Sequence, residues 1–261
     1  YSRADHGAWK VCDEADLRRL VGDQPDPKVK LCVMADAERT DYHEDILPKE
    51  QSVLSCIRVA CYIHQIPTAV DMIKDAHDKG YETTANIMAV SAVNEKELRE
   101  ALDVLAVTPV DVVNVVDSYG TLYSEQIHSL VRMYKRALEG TGKEVGIHAH
   151  NNQQLAYANT IEAIICGANR LDATIYGLGR GAGNCPMELL LGFLRNPKFD
   201  QRPLLECIVK HMLPLSRKID WGYSIPYMIT GQLNQHPREA MELRESNRKE
   251  DFVAFYDKMM E

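Results

Sequence analysis

Six short apolar segments recur along the chain, and most are followed by a stretch with helical periodicity. Strands that alternate with helices at short spacing build a parallel sheet with helical crossovers. The pattern therefore predicts an α/β fold, either a closed eight-stranded barrel or an open doubly wound sheet. The predicted strands are residues 29–35, 56–62, 81–90, 111–116, 145–150 and 170–176.

Helical periodicity fills the intervals and dominates the end of the chain. Six strands match the open sheet as they stand, and they match the barrel if two further βα units precede Tyr1. From residue 197 onwards the pattern is helical, with an aromatic turn at 220–226, and it predicts a C-terminal extension over 197–261. Helices are predicted at 13–21, 47–54, 68–79, 94–107, 121–138, 154–166, after Pro186, at 203–217, and as two helices within 237–261 that divide near Asn247.

Composition limits the classes of function. A formal charge of −8 over 261 residues, with a pI near 5.6, argues against a nucleic-acid-binding surface. No apolar run approaches the length of a membrane span. The seven cysteines form no CxxC pair and lie mostly in apolar segments, which is typical of reduced thiols in a cytoplasmic protein.

A pair of histidines ends the strand at 145–150. Side chains on a strand alternate between its faces, so His148 and His150 point the same way and Ala149 points the other. Two imidazoles at the carboxyl end of a parallel strand can hold a divalent metal when a carboxylate or amide oxygen joins them. The alternative is a pair of hydrogen-bonded core histidines.

Two loops that follow strands carry further candidates. Asp117 ends the strand before the histidines and is either a carboxylate at the metal or the cap of the helix predicted from Thr121. The glycine-rich segment 177–184 allows close backbone approach to a ligand, with Asn184 supplying a side-chain oxygen. The same segment could equally be a tight strand-to-helix turn capped by Asn184 or Cys185.

Three polar residues fall inside predicted strands. Arg58 and Asp172 would each need a partner if buried, and they either pair with one another inside the barrel or line the floor of the site. Asn86 is a similar case.

Several of these motifs occur together in an order that resembles a known family. The family is the HMG-CoA-lyase-like superfamily of DRE-type TIM-barrel metalloenzymes, and the likeness is greatest to the 4-hydroxy-2-oxovalerate aldolases and the bacterial aldolases near them. It runs from about residue 1 to 194 and is strongest over 111–188. The motifs are Gly-Ile-His-Ala-His-Asn-Asn at 146–152, Ala-Asn-Thr at 158–160, Asp-Ala at 172–173 and Gly-Leu-Gly-Arg-Gly-Ala-Gly-Asn at 177–184.

The resemblance implies a TIM barrel in which residues 1–196 supply strands three to eight. His148 and His150, on strand seven, then match the family's ligands for Mn²⁺ or Mg²⁺, and Asn184 matches the asparagine that joins them in the lyase branch. Asp117 matches a strand-six residue that faces the site. Asp117, Asn86 and Arg58 are the expected catalytic residues, and Gly177, Gly179, Gly181 and Gly183 the expected substrate loop.

One part of the family pattern is not found in this sequence. The family's third metal ligand, an aspartate in an Arg-Asp-Gly segment, lies on strand one together with the catalytic arginine, and we expect both upstream of Tyr1. The C-terminal extension is shorter than the domain with which the oxovalerate aldolases bind an aldehyde dehydrogenase partner. A homodimer is expected instead.

The expected activity is therefore a lyase that cleaves or forms a C–C bond of a 4-hydroxy-2-oxo acid through a metal-stabilised enolate. A synthase that condenses an acyl-CoA with a 2-oxo acid is an alternative, disfavoured because no coenzyme-A-binding insertion is evident. An amidohydrolase would carry its HxH on the first strand, whereas here the motif is late. A degenerate barrel that acts as a non-catalytic binding subunit is the remaining alternative.

Overall fold

Six parallel strands form a single sheet in the order β1-β2-β3-β4-β5-β6. The computed structural model describes residues 7–23, 26 and 28–261. Because the strands follow chain order without reversal, the topology is that of a TIM-type barrel and not of a doubly wound sheet, whose order reverses at a switch point. The predicted α/β barrel class is thereby confirmed. The strands are β1 (Cys32–Asp36), β2 (Cys56–Cys61), β3 (Glu82–Ile87), β4 (Val112–Asp117), β5 (Glu144–Ala149) and β6 (Arg170–Leu171).

Helices cover one face of this sheet and continue beyond it. Among the described helices, none combines the length and the apolar character needed to cross a membrane. The helices are α1 (Glu14–Val21), α2 (Tyr42–Asp45), α3 (Ile66–Asp78), α4 (Glu95–Ala106), α5 (Ser124–Ala137), α6 (Ala156–Ile165), α7 (Met187–Leu194), α8 (Gln201–Cys207), α9 (Leu213–Ser216), α10 (Ile225–Gln232), α11 (Arg238–Glu245) and α12 (Phe252–Met260).

The main core lies between the sheet and its helices. Every residue of β4 is buried, which explains its nearly continuous run of valines. Ile57 and Ile147 of the sheet and Leu102 of α4 all belong to this core, at 0–1% exposure. Burial of each such side chain contributes about 1.5–3 kcal/mol, so this layer fixes the register of the strands that carry the polar inner face.

Two elements are much shorter than the sequence predicts, and β3 lacks the last three residues and the first residue of its predicted range, 81–90. β6 comprises Arg170–Leu171 alone, because the chain turns into a 3-10 helix at Ile175–Gly177 with Tyr176 in the left-handed region at φ 58°. The helix predicted at 47–54 is a single 3-10 turn, Lys49–Gln51. After that turn the chain must extend to enter β2, as the bond from Ser55 N–H to the Leu31 carbonyl shows.

The C-terminal region is helical, as predicted, but its division differs. The helix expected at 203–217 is split into α8, a π-helical turn at Ile208–Met212 and α9, which contains Pro214. α10 begins within the aromatic turn expected at 220–226. The division of the chain into 1–196 and 197–261 stays a prediction.

Candidate active site

His148 and His150 lie together at the carboxyl end of β5, as the alternation of side chains predicts. Their ring centroids are 4.9 Å apart, and the rings meet edge to face. His148 Nδ1 bonds Asp172 Oδ2 at 2.9 Å, and His150 Nδ1 bonds the carbonyl oxygen of Asp117 at 3.0 Å. Both rings are thus fixed through Nδ1, which leaves each Nε2 without a hydrogen-bond partner among the described residues.

The electrostatic surroundings keep His150 neutral. Burial, followed by the neighbouring His148 and Arg180, lowers the pKa of His150 to about 3. A neutral imidazole has a free lone pair on the nitrogen that bears no proton. With Nδ1 donating to a carbonyl, that lone pair is on Nε2, so the ring has the tautomer that a metal ligand requires.

Asp172 and Arg58 pair across the inner face of the sheet, as one of the two predicted alternatives proposed. Arg58 Nη1 donates to Asp172 Oδ1 at 3.0 Å, and Nη2 also contacts Oδ2. Burial alone would raise the pKa of Asp172, but hydrogen bonds from His148 and Arg58 outweigh it and lower the pKa to about 2. The ionised carboxylate therefore orients His148, and Arg58 acts through that carboxylate rather than at the open end of the site.

Asn86 does not occupy the substrate-facing position expected of it. Its Oδ1 accepts from Arg58 Nη2 and from Asn114 Nδ2, each at 3.0 Å. Its Nδ2 donates to the Val59 carbonyl at 3.2 Å and to Thr84 Oγ1 at 3.0 Å. The amide has used its full hydrogen-bonding capacity at 3% exposure, so it supports the floor of the site and has nothing left for a substrate.

The carboxylate of Asp117 is likewise turned away from the histidines. It is fully buried and accepts from Thr121 N–H at 3.0 Å and Leu122 N–H at 3.2 Å. Burial raises its pKa to about 6 despite these bonds. The expectation that Asp117 caps a helix beginning at Thr121 is not met, because α5 begins at Ser124 with Tyr123 at its N-cap, and the Asp117 carboxylate instead holds the loop before that helix. Only its backbone carbonyl reaches the site, where it holds His150.

Asn184 stands beside His150, brought there by the backbone. The two residues form an isolated antiparallel bridge. Asn184 Nδ2 donates to the Leu178 carbonyl at 3.0 Å, whereas the buried Oδ1 has no hydrogen-bond partner in the described part of the chain. An unpaired buried oxygen is costly unless a ligand satisfies it. Asn184 is not a helix cap, because Pro186 precedes α7.

The glycines of 177–184 allow the loop to pack tightly against itself. A side chain at Gly179 would lie 2.4 Å from Asn184 Nδ2, and one at Gly183 would lie 2.2 Å from the Gly177 carbonyl. Gly181 faces the Tyr227 ring at 3.1 Å. Any side chain at these positions would meet protein atoms, so the loop requires glycine for its own packing. Its role as a substrate loop stays a prediction. The loop's effect on the site is to fix Asn184.

Arg180 is a residue that sequence reasoning did not single out, although it lies within the glycine motif. Its side chain is exposed, its Nη2 donates to the Ser118 carbonyl at 3.3 Å, and partial desolvation lowers its pKa. Tyr62, Tyr119 and Tyr227 are close enough to counter that shift. No carboxylate forms an ion pair with Arg180 within the described residues, so an accessible cation near His150 is available to an anion. The available sequence signal was that Arg180 is the one charged residue of the glycine-rich segment 177–184.

The hydrogen bonds of His148, His150 and Asn184 leave donor atoms that fit a divalent cation. Each histidine is anchored through Nδ1 by a carboxylate or a carbonyl, the usual support for an imidazole ligand. Asn184 contributes the unpaired Oδ1. Among the residues described, no Asp or Glu joins His148 and His150 in a group of three ligand atoms. The site as described therefore offers two nitrogens and one amide oxygen.

Comparisons with known proteins give a consistent picture. A sequence profile of the HMGL-like family matches residues 60–211, more than half of the chain. The chain is 35% identical over 138 residues to a 4-hydroxy-2-oxovalerate aldolase of Geobacillus thermodenitrificans, a match that covers 53% of this chain and 40% of that protein. It is 30% identical over 173 residues to the same-named protein of Bacillus thuringiensis, covering 64% and 50%. The chain spans about half the length of the curated relatives it matches.

Solved structures extend the likeness to the fold. The N-terminal domain of a candidate aldolase from Bacteroides vulgatus superposes with a TM-score of 0.69 at 28% identity, over 86% of this chain and 76% of that one. The carboxyl transferase domain of Rhizobium etli pyruvate carboxylase superposes with a TM-score of 0.66 over 97% of this chain and 44% of that one. The two sequences are 13% identical, so this match shows a similarity of fold alone.

Proposed function

The chain belongs to the HMGL-like family, and from this premise we propose that it is a divalent-metal-dependent aldolase acting on a 4-hydroxy-2-oxo acid. The observation that carries the proposal is the close pair His148 and His150, with Asn184 bridged to His150 by the backbone and its Oδ1 free of hydrogen bonds within the described chain. Arg180, which has no acidic partner among the described residues, lies near His150. A 2-oxo acid presents both an oxygen pair that a cation can chelate and a carboxylate that an arginine can bind.

His148, His150 and Asn184 would hold the ion, Mn²⁺ or Mg²⁺. When bound, a divalent cation supplies Lewis-acid polarisation of the carbonyl next to the C–C bond. The chain's own contribution is to orient both imidazoles, through Asp172 on one side and the Asp117 carbonyl on the other, and to keep His150 neutral through burial. Such supporting contacts typically affect metal affinity or activity by about 10- to 100-fold.

Arg180 would bind the carboxylate of the substrate. Its guanidinium lies near His150 on the glycine loop and has no acidic partner among the described residues, so it can make a charge-assisted hydrogen bond to a carboxylate. Because the carboxylate is common to the substrate and to the pyruvate product, this contact would fix the 2-oxo end and leave the rest of the molecule to vary. A homodimer and a cytoplasmic location remain predictions.

The test is an assay of the protein that contains this chain, with 4-hydroxy-2-oxo acids as substrates. Mn²⁺ or Mg²⁺ is supplied after chelator treatment, and released pyruvate is measured by a coupled lactate dehydrogenase reaction. Metal-dependent release of pyruvate and an aldehyde is the expected result. Absence of both products with every divalent ion tried would contradict the proposal.

A further inference from the structure

Three metal-ligating side chains meet on the helix layer, on the other side of the sheet from His148. His128 belongs to α5, Glu162 to α6, and Cys166 caps the end of α6. Among the described residues, they are the one group of three His, Cys, Asp or Glu side chains whose ligand atoms all lie within 4.8 Å of one another. None of them takes part in the candidate active site.

The spacing of the ligand atoms is close to that of a tetrahedral zinc site. His128 Nδ1 lies 2.8 Å from Glu162 Oε1, and Cys166 Sγ lies 3.2 Å from that nitrogen and 3.4 Å from that oxygen. Bonds of about 2.0–2.3 Å at tetrahedral angles separate ligand atoms by about 3.3–3.6 Å. Movements of a few tenths of an ångström would therefore admit the ion.

The backbone sets this arrangement in advance. Glu162 and Cys166 are one helical turn apart on the same face, and Cys166 N–H bonds the Glu162 carbonyl at 3.0 Å. The chain then leaves the helix at Gly167, whose φ is 97°. α5 packs beside α6 and presents His128, whose side chain is 44% exposed. The cluster is thus preformed and open to solvent, with room for water as a further ligand.

The geometry argues against two simpler interpretations. A Cys–His–Glu nucleophilic relay needs the thiol on one ring nitrogen and the carboxylate on the other, but here both lie on Nδ1. A plain His–Glu surface pair would account for His128 and Glu162 but not for the sulfur within reach of both. Three donor atoms that converge on a common point are what a cation site requires.

Charge also permits binding. Hydrogen bonds from His128 and Cys166 hold the pKa of Glu162 below its usual range, so the carboxylate is ionised. Burial and the neighbouring Glu162 raise the pKa of Cys166, and Arg132, one turn beyond His128, offsets only part of that effect, so the ion must displace the thiol proton as it binds. Once that proton has left, a divalent ion, one thiolate and one carboxylate sum to neutrality.

We propose that His128, Glu162 and Cys166 form a second metal site, which takes Zn²⁺ with water as the fourth ligand. The mixed sulfur, nitrogen and oxygen donors select a borderline-soft ion over Mg²⁺ or Ca²⁺, which prefer oxygen alone. The open fourth position makes it a site that can exchange its ion.

Cobalt titration can distinguish this site from the barrel histidines, because only a thiolate ligand gives cobalt(II) an intense near-ultraviolet charge-transfer band. The protein is titrated with Co²⁺ in two backgrounds, wild type and the double variant His148→Ala/His150→Ala. We expect the band to saturate at one equivalent in both and to disappear on addition of Zn²⁺. Cys166→Ser and His128→Gln should each abolish it or weaken binding at least tenfold, whereas Cys207→Ser, at another half-buried cysteine, should retain it.

Three results would overturn the proposal: no band in wild type, a band unchanged in Cys166→Ser, or a band that vanishes in the double variant. Circular dichroism melting without metal establishes that each variant is folded. Pyruvate release with Mn²⁺ should be unaffected by Cys166→Ser, so loss of this site and failure of the aldolase proposal give separate readouts.

Discussion

The two ends of the inner face of the sheet use similar residues in opposite ways. At the amino end, Glu82, Glu144 and Arg170 begin three strands, and Lys30 lies just ahead of β1. Arg170 bonds Glu82 at 2.9 Å and also contacts Glu144, while Lys30 contacts Glu82. Each of these four charged side chains therefore has a partner of opposite sign.

The carboxyl end carries comparable polar groups but leaves several unpaired. Both Nε2 atoms and Asn184 Oδ1 have no protein hydrogen-bond partner, and Arg180 has no ion-pair partner, among the described residues. Of these groups Asn184 Oδ1 is buried, and an unpaired buried polar atom costs free energy unless a ligand completes it. The contrast shows that the number of charged residues does not mark the site, whereas polar groups without a protein partner do.

The largest effect is expected from removing the imidazoles. His148→Ala/His150→Ala should lower kcat/KM by about 1,000-fold or more, because several kcal/mol of metal assistance are lost at about 1.4 kcal/mol per tenfold. Steady-state kinetics with saturating Mn²⁺ measures this. A loss of less than tenfold would mean that the metal is held elsewhere.

Arg180 provides the next test. Arg180→Met should raise KM for the 2-oxo acid by about tenfold with a smaller change in kcat, because the carboxylate loses a charged hydrogen-bond donor that is partly screened by solvent. Arg180→Lys should recover part of the loss, since it restores charge without the bidentate fork. If substrates lacking the carboxylate suffer equally from Arg180→Met, Arg180 does not bind that group.

Asp172 links the site to stability. Its folded pKa of about 2 lies below the unfolded value near 4, so its contribution is complete above pH 4 and is lost as the pH falls from about 4 to 2. The difference amounts to about 2 kcal/mol. Asp172→Asn should reduce the loss of unfolding free energy between pH 4 and 2, measured by urea unfolding, and should lower metal affinity by about 10- to 100-fold. If the variant loses as much unfolding free energy as the wild type over this pH range, other carboxylates are responsible for the loss.

The smallest effect is expected from a substitution in the ion-pair cluster at the amino end of the strands. Hydrogen bonds and charge from Lys30 and Arg170 outweigh burial and lower the pKa of Glu82. Glu82→Gln should nevertheless cost only about 1 kcal/mol of unfolding free energy, because its partners are partly exposed, and the loss should shrink in high salt. Activity should stay at the wild-type level. A large loss of activity would break the contrast between the two ends.

The strands and the histidine pair were predictable because both depend on local periodicity. The alternation of side chains along a strand predicts that His148 and His150 share one face. The run of valines in β4 predicts a strand that is buried on both faces. α10 was missed because residues on several sides of it are buried, Tyr227, Ile229 and Thr230 among them, so no polar face marks a helical period.

The roles of the other polar residues were harder to predict, since they depend on partners far away in sequence. Asn86 acquires its satisfied amide from Arg58 and Asn114, each 28 residues distant. Asp117 is turned by strand alternation to the face opposite His148, which places its carboxylate at the loop. Arg180 is significant only because no acid lies beside it, and a sequence does not display that.

The glycine in the middle of β5 couples two positions that are far apart in the chain. A methyl group at Gly146 would lie 1.8 Å from Asn114 Oδ1, so the side-chain amide of Asn114 already occupies the space beside the Gly146 backbone. That amide braces Asn86, which in turn braces Arg58. A larger residue at position 146 therefore requires a smaller residue at position 114. We expect substitutions at these two positions to occur together in related sequences.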